Sequence, residues 1–85
     1  MTFTVVSRLT TKSDKTFSTV EEWMTEHGPC GLHNPITAGG TMEWETPTTV
    51  IRTMIFDSAA DWDILRAGKP ASQPFTVEPL SQTES

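Results

Sequence analysis

Tyrosine is absent from this chain of 85 residues, cysteine occurs once, and lysine and arginine together occur six times. Each scarcity excludes something. A single cysteine cannot close an internal disulfide, so no covalent staple supplements the core. The six basic residues stand against 11 acidic ones, for a formal charge of −5. Arg8, Lys12, Lys15, Arg52, Arg66 and Lys69 are scattered, with acids between most of them. A nucleic-acid backbone or an anionic membrane surface is held by clustered cations, so neither is an expected partner. Apolar runs such as Met54-Ile55-Phe56 fall far short of the ~20 residues that span a bilayer. The N-terminus has neither the positive nor the apolar region of a secretory signal. With a free thiol, the chain is expected to be cytoplasmic.

Hydrophobic side chains are also scarce, at 35% of the chain. Surface scaling for a mass of 9.4 kDa gives about 5,000 Å² exposed when folded, against about 13,600 Å² for the open chain. A lone copy would bury about 63% of its surface, a marginal fraction. One domain is all the length allows, and a second copy is the simplest source of further burial.

The plentiful threonine favours strands, and the pattern places them. Over Thr2 to Thr10, Phe3, Val5, Ser7 and Leu9 alternate with Thr4, Val6, Arg8 and Thr10, the period of a strand. A helix is expected from near Ser18, whose hydroxyl would cap while Glu21 completes a capping box. Val20, Trp23, Met24 and His27 share one face of it, and Gly28-Pro29 ends it. Pro29 to Gly40 reads as a connector, with the "TAGGT" of 37–41 as a turn. From Thr41, Met42, Trp44 and Thr46 alternate with Glu43 and Glu45, and Pro47-Thr48 turns the chain into a partner strand, Thr49 to Phe56. That strand is apolar on both faces: Val50, Met54 and Phe56 on one, Ile51 and Ile55 on the other. Ser58 then caps a helix with Ala59, Trp62 and Leu65 in its stripe, stopped by Gly68 and Pro70. Residues 1–68 therefore read as one domain and 69–85 as a Pro/Ser/Thr-rich tail, with Phe75-Thr76-Val77 able to add a short edge strand.

The order strand, helix, strand, strand, helix predicts an α+β fold with an antiparallel sheet and two helices on one face. The opening "FTVVSRLTTKSDK" and the later "TMEWETPTTVIRTMIFDSAADWDILRAG" resemble the dimeric α+β barrel superfamily, particularly its antibiotic-biosynthesis-monooxygenase-like group. The resemblance covers roughly Thr2 to Gly68. It implies a ferredoxin-like β-α-β-β-α(-β) order and a homodimer formed through the sheet. It also allows a cofactor-independent monooxygenase acting on a small aromatic substrate. No catalytic residue carries over by a matching motif.

Three groups of residues are candidates for chemistry. The two histidines and the cysteine fall within "HGPCGLH", spaced His27-x-x-Cys30-x-x-His33. Thiolate and imidazole suit zinc, although His27 also lies on the apolar helix face, where it would pack as an aromatic. Trp23, Trp44 and Trp62 could wall a pocket for a small apolar ligand, or fill the core. Arg52 shares a face with Val50, Met54 and Phe56 and needs a partner there. Glu43 or Glu45 across the hairpin is expected, or else an anionic ligand. The sequence thus points to a small homodimeric domain that binds or interacts, with no cofactor expected. The enzyme and the zinc protein remain as alternatives.

Overall fold

The alternation at the N-terminus becomes the spine of the sheet. In a computed structural model that describes residues 2–28, 32, 34–68 and 73–84, strand β1 (Phe3–Thr11) buries every second residue. Helix α1 (Val20–His27) follows, then a hairpin of β2 (Gly39–Thr46) and β3 (Thr49–Phe56). Helix α2 (Ala59–Ala67) leads to β4 (Phe75–Glu84). The sheet order is β2-β3-β1-β4 and every neighbouring pair is antiparallel, the ferredoxin-like α+β arrangement.

Register fixes which residues share a face. Phe3 pairs with Phe56, Val5 with Met54, Ser7 with Arg52 and Leu9 with Val50, all buried and all toward the helices. Trp62 of α2 completes one apolar cluster with Phe3, Val5, Met54 and Phe56. Trp23 of α1 completes a second with Leu9, Phe17, Val50 and Phe75. Between the clusters runs a polar row, Ser7 beside Arg52, each 1% exposed. Full burial of a large apolar side chain is worth about 1.5–3 kcal/mol, so the two clusters carry most of the fold's stability.

Four expectations are revised. Ser18 does not cap α1. Thr19 does, its Oγ1 accepting the Glu22 N–H at 3.2 Å while the Glu22 carboxylate accepts the Ser18 N–H at 2.8 Å. The same hydroxyl-to-acid spacing recurs one residue along, and the cap immediately before Val20 starts the helix at its apolar stripe. Secondly, the "TAGGT" segment is no turn, because Gly39, Gly40 and Thr41 already pair with Ile55, Met54 and Thr53. Thirdly, β4 runs on to Glu84 rather than stopping at Val77. It pairs along all of β1, and a register shift between Val6 and Ser7 lets Pro79 sit in an edge strand.

Arg52 is the fourth. Its cross-strand partner on β2 is Met42, while Glu43 stands opposite Ile51 on the other face. A pair with Glu43 or Glu45 would have to pass through the sheet, and Glu45 instead bonds Arg8.

Gly40 is required where it stands. A Cβ there would collide with the Thr53 carbonyl and lie 2.8 Å from Leu32 Cδ2, whereas one at Gly39 would meet nothing within 4 Å. Gly40→Ala should lower the unfolding free energy by about 1–3 kcal/mol, the usual cost of overpacking. Gly39→Ala should change it by less than about 0.5 kcal/mol. Urea unfolding midpoints check the pair, and equal effects would contradict the close approach.

Candidate functional site

Beneath α2, on the β1–β4 side of the sheet, the fold leaves a cavity of about 360 Å³. Its walls are Val5 and Ser7 of β1, Trp62 of α2, and Val77, Pro79 and Gln82 of β4. Gln73 and Arg66 complete the lining. It exists because β4 extends the sheet beyond the cover of the helices: only Phe75 of that strand is buried. The volume lies in the range of small-molecule sites. The walls are mostly apolar, with a hydroxyl, two amides and one guanidinium among them. Arg66 is more than half exposed, its Cζ 5.9 Å from the Trp62 ring centroid and its Nη2 donating to Asp63 Oδ1 at 2.8 Å. Among the described lining residues there is no carboxylate or imidazole to move a proton. The arrangement can hold a small molecule.

The four residues expected to frame a pocket are distributed differently. Trp62 lines the cavity, and Arg52 lies in the buried row next to Ser7. Trp23 is fully buried in the other cluster. Trp44 is 44% exposed on edge strand β2, where its Nε1 donates to the Phe17 carbonyl at 2.9 Å. With the Phe17 N–H bonded to the Pro47 carbonyl at 2.7 Å, Trp44 ties the loop before α1 to the β2–β3 hairpin. Sequence reasoning missed the β4 wall, Val77, Pro79 and Gln82. Its signal was the alternation Phe75, Val77, Pro79, obscured by the prolines.

His27 packs as an aromatic. Its ring centroid lies 4.5 Å from Trp23, 5.6 Å from Phe17 and 5.8 Å from Phe75, each edge-to-face. Its Nε2 and Thr11 Oγ1 are 3.0 Å apart, and its buried Nδ1 has no hydrogen-bond partner among the described residues. Cys30 and His33 lie outside the described residues. Among those described, no three His, Cys, Asp or Glu side chains gather as metal ligands would.

The opposite sheet face carries Thr4, Val6, Arg8 and Thr10 with Ile51, Thr53 and Ile55. Arg8 spans it, bonding Glu45 of β2 and Glu78 of β4 at 2.9 Å each. The Glu45 hydrogen bond, more than that of Glu78, raises the guanidinium's pKa above its ordinary value. No helix among the described residues is long and apolar enough to cross a membrane.

Fold and site together define a ferredoxin-like α+β domain with a ligand-sized cavity under its second helix and an open second sheet face. Comparison with protein families, with curated proteins and with solved structures finds no match.

Burial pushes the His27 pKa below its ordinary 6.5, and Lys15 adds to this while Glu26 opposes it. A lowered folded pKa means that the unfolded chain binds the proton more readily. His27's contribution is therefore complete above pH 6.5 and declines as the pH falls toward the lower folded value. An NMR titration of the His27 ring should give a midpoint below 6.5; one at or above it would contradict this packing.

Proposed function

We propose that the chain is a homodimeric binding domain whose copies meet through the open face of the sheet, each holding a small ligand under α2. One observation carries the dimer. Val6, Ile51 and Ile55 lie on the central strands, on the face opposite both helices. Antiparallel sheets with one wet face are common, but then that face is polar. Here Val6 and Ile55 stand at the middle of two adjacent rows, Ser81–Val6–Thr53–Thr41 and Thr83–Thr4–Ile55–Gly39, which are otherwise Ser, Thr and Gly and carry no charge. The charges gather in the next row, around Arg8.

A two-fold arrangement can set the neutral rows against each other and leave the Glu45–Arg8–Glu78 cluster toward solvent, where pairing costs least. Four strands and the four residues of length that the neutral rows span make a contact of roughly 250 Å² in projection. The single chain exposes 4960 Å², close to the ~5,000 Å² of an ordinary monomer of its mass, so its own burial stays marginal. The resemblance to the dimeric α+β barrel superfamily points the same way.

Sedimentation equilibrium at micromolar concentration should return twice 9.4 kDa. Thr53→Arg, a charge at the centre of the neutral rows, should weaken association by at least about 100-fold, as an unpaired buried charge does. Ile64→Lys on the exposed side of α2 should leave the mass unchanged. A monomeric mass at every concentration would refute the dimer.

A further inference from the structure

The cavity under α2 is asymmetric in charge, and that asymmetry selects a ligand. Arg66 is the one ionic side chain among its described lining residues. Immediately behind the floor lies a second cation. Ser7 lines the cavity, and its partner across the β1–β3 ladder is Arg52, 1% exposed. Arg66, one nitrogen of which bonds Asp63, thus borders a space whose described lining residues include no carboxylate.

The lining also has a shape preference. Trp62 presents an indole wall, and Val5, Val77 and Pro79 are apolar, which suits a flat hydrocarbon body. Arg66 lies at the rim over that same indole, with one nitrogen on Asp63. Guanidinium has five N–H donors, so others remain for a second carboxylate, which it receives bidentately. The Ser7 hydroxyl makes no hydrogen bond to a described residue. A cation is disfavoured by Arg66, and multiply charged anions by the chain's net −5.

We infer that the cavity between α2, β1 and β4 binds a small aromatic monocarboxylate, its ring against Trp62 and its carboxylate on Arg66. The inference rests on the reading of the chain as a binding domain but not on its dimerisation, since a single copy builds the whole cavity.

Calorimetry on the full chain with 2-naphthoate, and with its neutral isostere 2-naphthamide, tests it. The carboxylate should bind with one site per chain, and the amide about tenfold more weakly, the usual effect of losing a charge-assisted hydrogen bond. Arg66→Gln should remove that difference and leave the amide's affinity as it was. Val77→Trp, at a partly exposed position that tolerates bulk, should abolish both by filling the cavity. In NMR spectra the Trp62 indole should shift on titration and the Trp23 indole should not. Equal affinity for acid and amide in the native chain would overturn the ligand class while leaving a binding cavity. Absence of binding by either probe at millimolar concentration, or binding unaffected by Val77→Trp, would overturn the site itself. Either result leaves the mass measurement, and so the dimer, to stand independently.

Discussion

Everything in this fold depends on β1 being paired on both sides while its side chains alternate strictly between two environments. β3 and β4 both run antiparallel to it, so β1 has no free edge. A shift of one residue would drive Phe3, Val5 and Leu9 out of the core and carry Arg8 into it. The alternation therefore sets the register, and the register sets what each face can do.

On the covered face the consequence is a divided core. Ser7 and Arg52 stand at matching positions on β1 and β3, so the apolar surface beneath the helices splits into a Trp62 half and a Trp23 half. A buried guanidinium costs several kcal/mol of desolvation, and hydrophobic residues of similar size are often as stable or more so. The polar row is thus a feature that packing alone would not select. At its β4 end it meets the cavity, where Ser7 forms part of the lining opposite Pro79. His27 shows the other side of the same logic: burial lowers the pKa of an imidazole set among aromatic rings in the Trp23 half.

Periodicity made much of this legible. The alternation of β1, the hairpin around Pro47-Thr48, the stripe of α1 and the both-faced apolar character of β3 follow from spacing, and the structure has each. What was hidden depends on distant partners. Arg52's partner could not be read from its neighbours, because the hairpin register that sets Met42 rather than Glu43 beside it depends on the pairing of β2 with β3. Residues 75–84 look like a tail by composition, since prolines and polar residues mask a strand whose stability comes from β1 rather than from its own side chains. The candidate site was legible only in Trp62, for the same reason: half of its wall belongs to β4.

The open face is where the account reaches beyond one chain. Val6, Ile51 and Ile55 are apolar for no reason that either helix supplies. The thin composition of the chain, the ordinary surface of the single copy and the neutral rows at the centre of the sheet all bear on that one face. The most direct test needs no substitution: isotope-filtered NOE spectroscopy on a mixture of labelled and unlabelled chains, which records contacts between copies only. The account predicts intermolecular contacts at the methyls of Val6 and Ile55. Their absence, or contacts centred instead on the outer side of α2 around Ile64, would contradict it.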